Sequence, residues 1–120
     1  MTEVNYEMSE ILRESIVVYC DVIKSLITTD LSIFLFGSVA KGKFFKNSDI
    51  DLLVIVKGKE LSVSERRVYR LLVMGETWDY PEYKELDCKV YGEIDFNKIS
   101  TNSFFEKSIK KDLIEVTDWG

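Results

Sequence analysis

The chain has 120 residues, a length that suits one domain with a single hydrophobic core. Its formal net charge of -5 makes direct binding of nucleic acid unexpected, because phosphate contacts normally require a basic face. Histidine is absent, which excludes Ser-His and Cys-His nucleophilic mechanisms and histidine-bound zinc sites. Any chemistry must come from carboxylates, hydroxyls, lysines and arginines.

The cysteine content and the N-terminal sequence predict the cellular compartment of the protein. Cys20 and Cys88 are too few for a disulfide framework and lack metal-ligand spacing, so we expect buried thiols in a reducing environment. The first residues carry neither a basic flank nor a long apolar run, so no signal peptide is predicted. No apolar stretch approaches the roughly 20 residues of a membrane span. These features predict a soluble, cytoplasmic protein.

The first half of the chain alternates between helical and strand patterns. Residues from about 5 to 28 carry apolar side chains in steps of three and four, which is typical of an amphipathic helix: Leu12, Ile16, Tyr19, Ile23 and Leu26. Leu31–Phe36 is predicted as a buried strand that ends at Gly37-Ser38, with a short helical turn after it. Residues 49–56 become almost continuously apolar after their two aspartates, which favours a central strand covered on both faces.

The second half continues the same alternation. Ser62 and Glu65 form a capping-box pattern that opens a helix to about Thr77, with its inward face predicted at Val68, Leu71, Leu72 and Gly75. Residues 86–91 are the third predicted strand. A second capping-box pattern begins at Ser103 and predicts a closing helix to about residue 112, and residues 113–117 are predicted as a short last strand. The predicted order is α-β-α-β-α-β-α-β, in one domain spanning residues 1–120.

Two short motifs carry the candidate chemistry: Gly37-Ser38 and, ten residues later, Asp49-Ile50-Asp51. Residues i and i+2 of a strand point to one face, roughly 6.5 Å apart, so Asp49 and Asp51 present two carboxylates together. Such oxygen ligands suit Mg²⁺, which takes further ligands from water and phosphates. Gly37 permits close approach of backbone N–H groups to a phosphate, and Ser38 adds a hydroxyl donor.

Each motif alone has an ordinary structural explanation. A Gly-Ser step is usually a turn, and an Asp-x-Asp pair is usually a solvated strand end or a cap. Their joint occurrence favours a metal site beside a phosphate-binding turn, because the second aspartate leads directly into a buried apolar strand. Neighbouring carboxylates repel each other, and neutralising them requires a cation or a proton.

Gly37-Ser38, ten residues and then Asp49-Ile50-Asp51 resemble the signature of the DNA polymerase β-like nucleotidyltransferase superfamily. The likeness is greatest to the minimal nucleotidyltransferases, the small partners of HEPN-domain proteins, and covers nearly the whole chain. It implies an α+β fold related to the polymerase β palm, with a mixed β-sheet flanked by helices. It also implies that Asp49 and Asp51 bind two Mg²⁺ ions, and that Gly37 and Ser38 contact the triphosphate of ATP.

The same resemblance implies a third acidic residue on a later strand, flanked by apolar residues. Asp87, in Leu86-Asp87-Cys88, fits as a further metal ligand that also accepts the proton of the attacking hydroxyl. Asp95 has the same local pattern but follows Gly92-Glu93, where the strand should already have ended, so Asp87 is favoured. The alternative for Asp87 is an edge carboxylate paired with Lys89 or Lys84.

Two further residues are weaker candidates. Lys41 stands where the family often has arginine; it can meet a phosphate as a point charge without the bidentate fork, or it is simply a solvated lysine. Ser48, just before Asp49, is either a hydroxyl that supports the metal ligands or a turn residue.

Three functions remain open from the sequence. The first is transfer of AMP from ATP to a hydroxyl, on a tyrosine of a HEPN-type toxin, so that the protein is an antitoxin acting by adenylylation (AMPylation). The second is a binding module that masks such a partner and keeps only a vestigial metal site. The third is a nucleotidyltransferase for a small molecule such as an aminoglycoside. The acidic composition suits a basic protein partner better than a nucleic acid.

Overall fold

The structure is a computed structural model that describes residues 2–40, 49–80, 83–99 and 113–119. The helix predicted from Ser103 lies outside the described residues, as do Lys41 and Ser48. The elements in chain order are helix α1 (Thr2–Leu26), strand β1 (Leu31–Phe36), helix α2 (Gly37–Ala40), strand β2 (Ile50–Val56), helix α3 (Val63–Thr77), strand β3 (Leu86–Gly92), helix α4 (Glu93–Ile99), strand β4 (Ile114–Glu115) and a 3₁₀ turn (Thr117–Trp119).

Four strands form one mixed sheet in the order β3-β2-β1-β4. Strand β1 is antiparallel to both β2 and β4, and β2 is parallel to β3. In this register Asp51 of β2 lies opposite Phe36 on one side and opposite Asp87 on the other. The predicted α+β fold with a mixed, helix-flanked sheet is therefore confirmed.

Apolar side chains cover both faces of the sheet. On one face, alternate residues of β1, β2 and β3 pack against α1, whose predicted stripe is confirmed: Leu12, Ile16, Tyr19 and Ile23 are buried and Leu26 is half-buried. On the other face a smaller cluster gathers Phe36, Leu53, Ile55 and Phe96. Strand β2 contributes to both clusters, as its near-continuous apolar run predicts for a central strand.

Both cysteines are buried free thiols, as predicted. Burial raises the pKa of Cys20 and of Cys88 to about 12, so both stay protonated and act as small apolar groups in the core. None of the helices in the described part of the chain combines the length and apolarity that crossing a membrane would need.

The predicted inward face of α3 is wrong. Val68, Leu71 and Leu72 are exposed, and Gly75 is exposed beside them. The helix instead buries Val73 and Thr77, on the opposite side. In this orientation the helix contacts β3: the Arg66 guanidinium lies 4.9 Å from the centre of the Tyr91 ring, and Arg70 contacts Asp87. Arg66 and Arg70 lie on the same side of the helix as the buried Val73 and Thr77, so the packed side mixes charged and apolar residues and shows no continuous apolar pattern in the sequence.

Helix α4 was absent from the sequence-based prediction, which placed no helix directly after β3. Its first turn holds Asp95, which accepts N–H groups from Leu61 (2.9 Å) and Gly92 (3.0 Å). An aspartate that accepts backbone donors beside a helix start is a common N-terminal stabiliser. The short Glu93–Ile99 segment becomes helical directly after the strand, and Phe96 is then buried against the sheet.

The capping box at α3 is confirmed and supports a first prediction. The Ser62 hydroxyl accepts from the Glu65 N–H (3.1 Å), and the Glu65 carboxylate accepts from the Ser62 N–H (2.9 Å). Ser62→Ala should therefore lower the free energy of unfolding by about 1 kcal/mol, measured by urea denaturation. Ser64→Ala, at an exposed position in the same turn, is the control and should change it by less than about 0.5 kcal/mol. Equal effects would contradict the capping role.

Candidate active site

The candidate site lies where β2 begins. Asp49 precedes the strand and is exposed, while Asp51, the second strand residue, is half-buried. Ile50 and Leu52 point into the main core, so the alternation of the strand turns Asp51 to the opposite sheet face. The same alternation places Asp87 of β3 on that face, directly opposite Asp51.

The carboxylate of Asp51 is in an unfavourable electrostatic environment. The pKa of Asp51 is raised to about 6, mainly by burial and then by the negative charges of Asp87 and Asp49, and only Lys89 acts in the other direction. The three aspartates are thus close enough to repel one another appreciably, so a cation bound among them would lower the energy of the site.

Gly37 touches this carboxylate from the end of β1. Its φ of 76° lies in the left-handed region, which residues other than glycine rarely adopt. A Cβ atom at this position would overlap Oδ2 of Asp51 and lie 2.9 Å from its Cγ. Helix α2 starts at this glycine, and Ser38 is its second residue. The structure thus brings the two sequence motifs together through Gly37 and Asp51.

Asp87 faces two positively charged side chains. Its Oδ1 is 3.4 Å from Nη2 of Arg70, and its Oδ2 is 4.0 Å from Nζ of Lys89. The edge pairing with Lys89, weighed as an alternative from the sequence, is present in this form. Sequence reasoning missed Arg70. The available signal was its spacing of four residues from Arg66, but this has meaning only when the inward face of α3 is known.

Asp95 belongs to a different part of the molecule. It follows Gly92, which pairs with Val56 at the far end of β2 from Asp51. Both of its oxygens accept backbone N–H groups, and Oδ2 is also 4.0 Å from Nε of Arg66. The structure therefore brings Asp87, and not Asp95, to the two aspartates of the motif.

Asp95→Ala should act on stability alone. Removing the carboxylate leaves the N–H groups of Leu61 and Gly92 without their acceptor, so we expect the free energy of unfolding to fall by about 1–3 kcal/mol. Urea denaturation measures this, with Asp79→Ala at an exposed turn as the control. Nucleotide transfer per folded molecule should be unchanged. Loss of transfer at unchanged stability would instead make Asp95 the third carboxylate.

The carboxylate oxygens of Asp49, Asp51 and Asp87 are suitable ligands for a hard divalent cation, but they do not form a complete coordination site. Within the described residues, no three carboxylates or thiols converge closely enough to hold a metal ion by themselves. Mg²⁺ commonly takes only one or two carboxylates from a protein and fills its octahedron with water and substrate phosphates. The half-buried Asp51, with two more aspartates beside it, meets that requirement.

The sequence matches the family model described as a nucleotidyltransferase domain over residues 19–116. The chain belongs to this nucleotidyltransferase family. The match extends from the middle of α1 to the residue before the 3₁₀ turn and includes both motifs, so the superfamily suggested by the resemblance is confirmed.

Two solved structures resemble this nucleotidyltransferase domain. A protein from Sulfolobus solfataricus assigned as a nucleotidyltransferase is 22% identical, with a TM-score of 0.53, over 95% of this chain and 83% of that chain. A toxin–antitoxin complex with AMP-PNP is 17% identical, with a TM-score of 0.46, over 93% of this chain and 71% of that chain. No curated protein sequence matches the domain significantly. The likeness to the Sulfolobus protein supports the fold.

Proposed function

We propose that the protein transfers AMP from ATP to an acceptor hydroxyl in a reaction that depends on Mg²⁺. The observation that carries this proposal is the environment of Asp51, a half-buried carboxylate with two more aspartates beside it and a left-handed glycine against it. Membership of the nucleotidyltransferase family makes nucleotide transfer the chemistry that such a site would serve.

Asp49, Asp51 and Asp87 are the residues that would hold two Mg²⁺ ions. Bound Mg²⁺ would supply neutralisation of triphosphate charge and a lower pKa for the attacking hydroxyl. Asp87 is proposed to accept the proton of that hydroxyl. Gly37, Ser38, Lys41 and Ser48 are proposed as contacts with the triphosphate side of the site.

We further propose that the acceptor is a tyrosine of a HEPN-type toxin, so that the protein serves as its antitoxin in the cytoplasm. The support is the resemblance to minimal nucleotidyltransferases, together with the net charge of -5, which would speed encounter with a basic partner. The association should accordingly weaken as salt is raised.

One observation favours a second function, a binding module that masks its partner without modifying it. Asp87 already faces Arg70 and Lys89, as it would in a site that has lost its metal. The unfavourable environment of Asp51 favours the enzyme, because a vestigial site gains nothing from keeping a carboxylate whose pKa is raised by burial and by two neighbouring carboxylates.

Intact mass spectrometry of the partner tests the proposal. The full chain, purified together with the HEPN-type protein, is incubated with ATP and Mg²⁺. The partner should gain one adenylyl mass, or a few, on tyrosine and lose ribonuclease activity, and the Asp49→Ala variant should bind it without modifying it. A partner that is inhibited by the wild-type protein yet carries no added mass would identify the binding module instead.

A further inference from the structure

Asp51 and Asp87, which lie opposite each other on β2 and β3, differ in the number of positively charged side chains that face them. Each oxygen of Asp87 faces a different cation, Arg70 at 3.4 Å and Lys89 at 4.0 Å. Among the ion pairs formed by the described residues, none includes Asp51. Within the described part of the chain, the ion pairs are therefore concentrated on one of the two carboxylates that face each other across β2 and β3.

Arg70 is placed for this contact by a helix that cannot easily rotate. Val73 and Thr77, three and seven residues further along α3, are buried. One turn before Arg70, the Arg66 guanidinium lies over the Tyr91 ring and 4.0 Å from Asp95. The backbone at Arg70 is thus fixed from both sides, while its side chain is 52% exposed and can change rotamer.

We infer that Arg70 is a positioning residue that holds Oδ1 of Asp87 and competes with divalent cations for it. This inference rests on the proposed function, because it concerns the same three aspartates. An ion pair this exposed contributes little free energy, so a divalent cation can displace it. Cation binding should then begin at Asp49 and Asp51, and Asp87 should join only as Arg70 swings away.

Removal of Arg70 should therefore strengthen metal binding. Without the guanidinium, a divalent cation no longer competes with Arg70 for Asp87. The site also carries one more uncompensated negative charge, so it attracts the cation more strongly. Because exposed ion pairs are weak, the expected change in the dissociation constant is about two- to fivefold. The conservative Arg70→Lys variant keeps the charge and should stay close to wild type.

The experiment measures Mn²⁺ binding by titration calorimetry and by electron paramagnetic resonance, without nucleotide. Arg70→Gln is compared with wild type and with Arg67→Gln, which removes an equal charge from an exposed position of the same helix. Arg70→Gln should bind Mn²⁺ about two- to fivefold more tightly, and Arg67→Gln should match wild type. In an Asp87→Asn background, the effect of Arg70→Gln should disappear, because the two residues act through one contact.

The outcomes separate this inference from the proposed function. Equal Mn²⁺ affinity in wild type and Arg70→Gln, or weaker binding in the variant, overturns the role of Arg70 and leaves the metal site standing. Absence of Mn²⁺ binding in wild type and in every variant overturns both the role of Arg70 and the proposed metal site. In a transfer assay, the Mg²⁺ concentration that gives half of the maximal rate should fall about two- to fivefold in Arg70→Gln, whereas a raised KM for ATP would assign Arg70 to the triphosphate instead.

Discussion

Asp51→Asn should reduce nucleotide transfer by at least about a hundredfold, the scale expected when a charged group that acts in the transition state is removed. Asp51 is half-buried and contacts the Gly37 turn, and it is proposed as a metal ligand. Steady-state transfer by folded protein measures the effect, with Asp79→Asn, an exposed aspartate after α3, as the control. Transfer that survives in Asp51→Asn would exclude this site.

The same variant should be more stable than wild type in the absence of metal. The pKa of Asp51 is raised to about 6 from 3.8, so the folded state holds a proton that the unfolded chain has already released. Its contribution to stability is therefore present below pH 3.8 and is lost as the pH rises through about 6. Urea denaturation between pH 4 and 8 should show a smaller fall in stability with rising pH for Asp51→Asn. Parallel pH profiles would contradict the electrostatic account.

Gly37→Ala should have the second largest effect, on both stability and transfer. The φ of 76° costs a residue with a Cβ about 1–3 kcal/mol, and the new methyl group would overlap the Asp51 carboxylate. Displacing Asp51 should lower transfer by more than about tenfold, since misplacement of reacting groups by about 1 Å can cost a hundredfold.

Gly58→Ala is the matched control for that prediction. Gly58 also has a positive φ of 67°, but a Cβ atom there would meet nothing within 4 Å. It should lose about 1 kcal/mol of stability and keep full transfer activity. Urea denaturation and a transfer assay on both variants separate backbone strain from the contact with Asp51. Equal loss of transfer in the two variants would show that the contact is unimportant.

The strongest local patterns in the sequence predicted the fold well. The apolar run after Asp51 marked β2 as central, and the spacing of Gly37 and Asp51 predicted that two strand ends meet. Both rest on rules with short range: alternation in a strand, and glycine where a turn needs a positive φ.

The errors arose where tertiary contacts decide between local alternatives. Helix α3 carries two stripes: the more apolar one, with Leu71 and Leu72, is exposed, and the one that faces β3 includes Arg66 and Arg70. The contact between Arg70 and Asp87 joins residues 17 positions apart on different elements, so the spacing of Arg66 and Arg70 could not by itself indicate the partner of Arg70. Asp95 in the first turn of α4 accepts the N–H of Gly92 just before the helix, and it also accepts the N–H of Leu61, 34 residues earlier in the chain, which no local pattern indicates.

Labelling with two forms of ATP tests the central claim most directly. The full chain and the proposed HEPN-type partner are incubated with Mg²⁺ and ATP that is radiolabelled at either the α- or the γ-phosphate, with Asp51→Asn as the inactive control. Transfer of AMP predicts that the partner acquires label from the α-phosphate and none from the γ-phosphate, and that Asp51→Asn transfers neither. Label from the γ-phosphate, or inhibition of the partner without any label, would contradict the account.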